Sequence, residues 1–389
     1  MQLDFHYYAA YCAAFLAGYT HEECLAICYS DQFTDVCSRT FLDRIKGPAA
    51  AATTQLQGEL ADARQDLTGL QDITRIWASF HFLPFDLYAD PKRGGKRYRS
   101  KYRLICNSNG SLVADTVELA KGKDLQAAGL AMHVISDTWA HKYFAGTPSL
   151  VINNTDYYFY ELLPKGESFT QRRISFIHST SRPDDLEQGI YSNSLHRSSE
   201  TSIMNLGHGR AGHLPDYSFA RYKYLPAWMD YEEVIKDNPS DYYCAFGQVV
   251  YALQYLRGQR ETFETDRYAS ETLAPYEARI REILEKRQPD SSEDWKAFGE
   301  ELSGCEIEPF DPEKYMQEYI DEKRGNKSST FLGRFIMAAL SQKSMVTNRI
   351  FSSGNKLAGY SVEYSKKGFR GNRDFRRLLK QKKKEEDHE

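Results

Sequence analysis

The stretch "AMHVISDTWAHKYFAG", residues 131–146, carries His133, Asp137 and His141 at four-residue steps among Val134, Ile135 and Trp139. On a helix a step of four turns about 400° and rises about 6 Å, so these side chains share one face. A single histidine on such a face is ordinarily a hydrogen-bonded core residue. Three acid or imidazole groups in register, where a core helix would carry leucine, call for a cation. His133 and His141 would stand about 12 Å apart, too far for ligands about 2 Å from one ion, so the spacing predicts more than one metal. Asp137 lies midway. It is placed to give one carboxylate oxygen to each of two ions about 3.5 to 4 Å apart, the separation found in two-metal phosphoester hydrolases.

Further candidates lie on both sides of this stretch. In "LDFHYY", Asp4 and His6 are two apart, and an extended backbone points both the same way. Asp31 and Asp35 are four apart, with Cys24 and Cys28 on the same side, a pattern that suits a metal site or a solvated helix face equally. His81 is set among Trp77, Phe80, Phe82 and Phe85, where an imidazole needs a polar partner. In "NLGHGRAGHLPD", Gly207, Gly209, Gly212 and Pro215 argue against a continuous helix, and a glycine-rich turn lets His208, His213 and Asp216 converge. His196 with Glu200, an HxxxE pair, competes with them for the role of late cluster. Hard carboxylates mixed with imidazoles, and no consistent cysteine, suit catalytic zinc, or manganese or iron, better than structural zinc. No GxGxxG, Walker loop, HExxH or GxSxG motif stands in a credible context, which leaves dinucleotide, P-loop and serine-hydrolase chemistry without support.

The elements that must position these residues read as helices. With 41% hydrophobic residues, 27 Tyr and 21 Phe, the 389-residue chain has ample material for a packed core. Apolar residues recur at three- and four-residue spacing near 67–79, 124–144, 241–257, 269–287, 311–323 and 328–350, and Thr20 with Glu23 forms a capping box; the expected fold is all-α. The stretches 90–103 and 147–215 read as loops or short irregular elements. The expected division is a helical metal-binding catalytic domain over 1–260, accessory helices packed on it over 261–360, and a charged tail over 361–389. The net charge of −4 singles out no partner, although the basic loop 92–103 and the ten Lys and Arg between 366 and 384 would suit an anionic membrane surface or nucleic acid. No apolar run approaches the roughly 20 residues of a membrane span, and the opening lacks a basic segment followed by an apolar core. Seven scattered cysteines form no disulfide framework. A cytoplasmic location is expected, with export as an effector lacking a signal peptide left open.

Taken in order, the candidate ligands resemble those of the zinc-dependent phospholipase C and single-strand nuclease superfamily, over roughly residues 1–260. The resemblance implies an all-helical enzyme with a cluster of three zinc ions, and two or three ions are expected in this chain. Asp35, His81, His133 and Asp137 would hold one ion, and Asp137 would bridge towards a second with His6. His141 would hold a third with the 208–216 cluster. Members of that superfamily expose an N-terminal Trp whose backbone chelates zinc; this chain has Met1 there, and Asp4 stands as the replacement ligand. The implied activity is hydrolysis of a phosphodiester, such as a phospholipid headgroup or a single-stranded nucleic acid, with Asp35 and Asp137 as the catalytic carboxylates. A non-catalytic helical scaffold around a closed metal site is the competing expectation.

Overall fold

The computed structural model describes residues 1–63, 67–89, 103–147, 158–166, 168–177, 182–193, 207–226, 229 and 232–355. The first turns, Asp4–Ala9, are π-wound and run directly into α1, Ala10–Leu16. Helix α2, His21–Phe33, begins on the capping box: the Glu23 N–H donates to Thr20 Oγ1 at 3.4 Å, and the Thr20 N–H donates to Glu23 Oε2 at 2.8 Å. Then come α3 (Arg39–Arg44), α4 (Gln57–Ala63), α5 (Leu67–Phe80), α6 (Ser111–Ala120) and α7 (Leu125–Ala140). The short α8, His208–Ala211, precedes α9 (Asn238–Leu256), α10 (Ser270–Leu273), α11 (Glu277–Glu285), α12 (Ser292–Ser303), α13 (Met316–Asp321) and α14 (Phe331–Ser352).

Helix α7 is the axis of the molecule, with every residue from Ala128 to Ala140 buried. It packs against α2, α9 and α14. The contact with α2 depends on Gly129, where a Cβ would stand 2.2 Å from the carbonyl oxygen of Ile27 and 2.7 Å from the Ser30 Cβ. The two backbones touch here because no side chain intervenes, and the touch brings Asp31 up to the next turn of α7, which carries His133.

The all-α expectation is corrected by six strands between α7 and α9: β1 (Tyr160–Lys165), β2 (Ser168–Arg173), β3 (Ser175–Ile177), β4 (Ile190–Ser192), β5 (Arg221–Tyr224) and β6 (Val234–Asp237). The antiparallel sheet has the order β2-β1-β5-β6, and β3 and β4 form a separate parallel pair. The protein is therefore mixed α/β. Each strand is only three to six residues long, too short for a period-two pattern to stand out, and Pro164 and Gly166 read as breakers. Pro164 is tolerated because β1 pairs with β5 only at Tyr160 and Glu161, so the proline lies beyond the doubly paired part of the strand.

Two large hydrophobic clusters result among the described residues. One runs from Phe5 through α2, α7 and α9 to Ile350 of α14, so the helices after residue 260 share the core of those before it. The other joins the sheet to the loops, through Phe82, Phe144, Phe159, Leu214, Tyr222 and Tyr224. Phe80 belongs to the first cluster and Phe82 to the second, which puts His81 at the seam. The sheet is tied to α7 across this seam by buried Lys236, whose Nζ donates to the Trp139 carbonyl at 2.9 Å and to Asp241 at 2.7 Å. A cation there satisfies an otherwise orphaned carbonyl at the C-terminal end of α7. No described helix is long and apolar enough to cross a membrane.

Gly129→Ala is expected to force α2 and α7 apart and destabilise the protein by about 2–3 kcal/mol, the upper range for overpacking. Urea unfolding measures this, and an unchanged midpoint would remove the close contact from the account of the fold.

Candidate metal centre

His133, Asp137 and His141 line the inner face of α7, with His141 as the residue that ends the helix. The other groups reach them from four directions. His6 comes from the π-wound turn, Asp31 and Asp35 from α2 and the residues after it, His81 from just past the end of α5, His208 from the start of α8 and Asp216 from the turn that follows it. Among the described residues three sets offer ligand atoms within 4.8 Å of one another: His6, Asp31 and His133; Asp35, His81 and His133; His141, His208 and Asp216. The buried His and Asp groups are thus close enough together to hold a metal ion.

Distances within the second set match a coordination polyhedron. Ligands about 2.0–2.1 Å from a tetrahedral ion stand about 3.3 Å from each other. His81 Nδ1 is 3.2 Å from His133 Nε2, and Asp137 Oδ2 is 3.0 and 3.3 Å from those two nitrogens. Asp35 Oδ1 lies 3.7 and 3.8 Å from the same pair. The opposite oxygen of Asp137, Oδ1, faces another way, 3.2 Å from His6 Nε2 and 2.8 Å from the Met1 amine. In the third set Asp216 Oδ1 is 3.3 Å from the Nε2 of both His141 and His208, and 3.2 Å from the Met1 amine.

The back of each ring fixes which nitrogen is free. His81 Nε2 donates to the Thr53 carbonyl at 3.0 Å and His141 Nδ1 to the His81 carbonyl at 2.7 Å, so His81 presents Nδ1 and His141 presents Nε2 as lone pairs. Asp31 Oδ1 accepts from Nδ1 of both His6, at 2.7 Å, and His133, at 3.2 Å. Both of these rings therefore have a carboxylate at each nitrogen. A neutral imidazole has one N–H and cannot satisfy two acceptors. Protons alone fill the deficit poorly, because the His6 and His133 rings stack with centroids 3.9 Å apart, where two imidazolium charges would repel. An ion held by the Nε2 atoms would relieve both conflicts, with Asp31 behind the rings to orient the two histidines.

The titration shifts are mixed in sign, as buried carboxylates, imidazoles and an ammonium act on one another. Burial would push the Asp137 carboxyl up, but His141, His133 and the Met1 ammonium hold it well below the usual carboxylate range. Asp216, equally buried, is held down by His208 and the ammonium. Burial disfavours a charged His133, yet Asp137 and Asp35 raise it to about 10; burial and the ammonium lower His141 to about 4.

Two expected ligands stand elsewhere. Asp4 is buried against Ser291, accepting from its N–H at 3.2 Å and its Oγ at 2.6 Å and from the Phe5 N–H at 2.8 Å, so it anchors the π-wound turn instead of facing the centre. The Met1 amine occupies the region assigned to it. His213 turns away from Asp216 to hydrogen-bond Asp184 at 3.2 Å. A residue pairs with its neighbours according to turn geometry, which the interval between His208 and His213 does not reveal. His196 and Glu200, the basic loop as far as residue 102 and the tail from 356 lie outside the described residues.

Asp31 was visible in the sequence only as half of an acidic pair, and nothing in the spacing separated its place behind the rings from that of Asp35 in front. Asn238 and Tyr242 gave no signal at all. Asn238 Nδ2 donates to the carbonyls of Leu214 and Tyr217, each at 2.8 Å, and the Tyr242 hydroxyl to that of Pro215 at 3.1 Å, which fixes the turn bearing Asp216. Cys24 and Cys28 are core residues, their thiols pushed up by burial.

A family model described as a family of unknown function, DUF6765, matches residues 1–350. The chain belongs to the DUF6765 family. No curated protein and no solved structure matches it. The DUF6765 match spans every residue of the three ligand sets, together with Asp137.

Asp31→Asn in this DUF6765 chain is expected to weaken metal affinity about 10–100-fold, as loss of a carboxylate behind ligating histidines does, while the number of ions bound at saturating metal stays the same. Titration with a competing chelator measures the first and elemental analysis the second. An unchanged affinity would take Asp31 out of the centre.

Proposed function

We propose that the protein is a metal-dependent phosphoesterase, with zinc as the favoured metal and a phosphodiester as the substrate class. The observation carrying this reading is the division of Asp137: one oxygen faces His81 and His133, the other faces His6 and the Met1 amine. A carboxylate set between two donor groups suits a pair of ions sharing one ligand, and His141, His208 and Asp216 offer a place for a third. The donors, imidazole nitrogen and carboxylate oxygen, fit zinc, and manganese or iron would be accepted by the same set.

Bound divalent ions lower the pKa of a coordinated water and neutralise charge on a phosphoryl group. The chain's own residues supply the remainder. Asp35, whose side chain is 31% exposed, is the carboxylate of the second set that reaches solvent, and it is placed to orient an attacking water and take its proton. His208, at 21%, opens the third group to the same medium. His6, His133 and Asp137 are closed off, so the donors behind are rigid and dry while the front is accessible. That asymmetry supports a catalytic centre over a closed structural site.

The metal-loaded protein is expected to hydrolyse bis(4-nitrophenyl) phosphate and lose that activity with a chelator, which should also lower its melting temperature. Asp137→Ala should remove more than one ion and reduce kcat/KM at least about 100-fold, whereas Asp216→Ala should mainly empty the third group. A protein that binds two or more ions and hydrolyses no phosphodiester would leave the scaffold as the better reading. If both variants keep the full metal count, the ligand assignment fails.

A further inference from the structure

The two elements that hold His81 are themselves held by consecutive residues of α14, Gln342 and Lys343. Gln342 is buried, and its Nε2 donates to the Ser79 carbonyl at 3.2 Å and to Thr116 Oγ1 of α6 at 2.9 Å. Ser79 lies in the last turn of α5, where carbonyls lack a partner within the helix, two residues before His81. Lys343 Nζ donates to the carbonyls of Ala50 and Ala52, at 2.6 and 2.5 Å. These flank the end of the short turn Ala49–Ala51, immediately before Thr53, whose carbonyl takes the His81 N–H.

Thr53 also braces Asp35. Its N–H donates to the Cys37 carbonyl at 2.8 Å and its Oγ1 to the Thr34 carbonyl at 2.6 Å, so the stretch carrying Asp35 is held on both sides of that residue. Two members of the set formed by Asp35, His81 and His133 therefore lean on the residues from Ala50 to Thr53, and Lys343 fixes that stretch from α14. An imidazole turns about two side-chain bonds, so tying its Nε2 to a fixed carbonyl also sets the direction of Nδ1. Burial pushes the Lys343 ammonium down to about 8, so the charged donor is held here against the preference of its surroundings.

We infer that Gln342 and Lys343 are positioning residues for the set of Asp35, His81 and His133, and that through the backbone on either side of His81 they determine how tightly and in what geometry that set holds a divalent ion. The inference rests on the metal-binding part of the reading above and is independent of hydrolysis. Neither side chain bonds to a ligand atom. Gln342 holds the helix end from which His81 projects, and Lys343 holds the turn that receives its N–H. The C-terminal helix is thus part of the support of a centre whose ligands all lie in the first 216 residues.

The test is titration of the full-length, metal-free protein with cobalt(II), followed by its visible absorption, which depends on the geometry of the ligands. Lys343→Met removes the donor and keeps most of the side-chain length. It is expected to weaken the binding of one ion about 10-fold and to change the absorption of that ion, with Lys343→Arg closer to wild type in both. Gln342→Leu should act in the same direction, and it carries the test if Lys343→Met does not fold. Thr330→Ala is the control: it removes the hydroxyl that accepts from the Gly333 N–H at 3.1 Å and caps α14, loosening the helix without touching either brace. Its cobalt affinity and absorption should match wild type. Unchanged affinity and absorption in the brace variants, or an equal change in the Thr330→Ala protein, would overturn the positioning role while the metal centre stands. If the wild-type protein takes up no cobalt, the metal-binding reading fails, and the inference goes with it.

Discussion

Burying Asp137 at the centre of the molecule imposes a requirement that the surrounding structure meets piece by piece. A carboxylate taken out of water without compensation is unstable by many kcal/mol. The side chain of Asp137 is 1% exposed, in the middle of a helix that is buried all round. It is compensated from α5 by His81, from the N-terminal segment by His6 and the Met1 amine, and from its own helix by His133 and His141. Each of these groups must in turn be held, which is why Thr53 and His81 lend carbonyls and Asp31 lends a carboxylate. The fold can be read outwards from this one oxygen pair.

The helical half delivers one side of the centre and the sheet the other. Gly129 lets α2 lie against α7 closely enough for Asp31 to reach two rings. On the far side, Lys236 fastens β6 to the end of α7, while Asn238 and Tyr242 at the start of α9 grip the turn that presents Asp216. None of these three contacts the ligand atoms. They act as ordinary structural hydrogen bonds whose consequence is that two independently packed clusters meet at a fixed distance.

How much of this the sequence disclosed follows from the range of each interaction. Residues on one helix are related by fixed geometry, so His133, Asp137 and His141 stood out, and so did the prediction that the outer two serve different groups. Long helices such as Asn238–Leu256 and Phe331–Ser352 were likewise visible from periodicity. The strands were not, because three to six residues interrupted by Pro164 and Gly166 give no readable alternation. Asp4 was placed in the centre on the expectation of an extended segment; the π-wound turn rotates it to Ser291 instead. His208 and His213 could not be told apart by spacing, since a left-handed Gly212 between them sends the two rings to different partners.

The ligand sets also join parts of the chain that are far apart in sequence: His6 and Asp137 are separated by 131 positions, and His141 and Asp216 by 75. All seven cysteines are free, so no covalent bridge closes either loop. An ion held between such residues acts as a crosslink, removing loop-closure entropy from the unfolded chain much as a disulfide would, without depending on an oxidising environment. By the same logic, the last ligand set to assemble during folding would determine when the chain becomes topologically closed. With an ion in place, the turn that presents Asp216, held by Asn238 and Tyr242, would then bear on when the whole molecule locks as well as on the shape of one site.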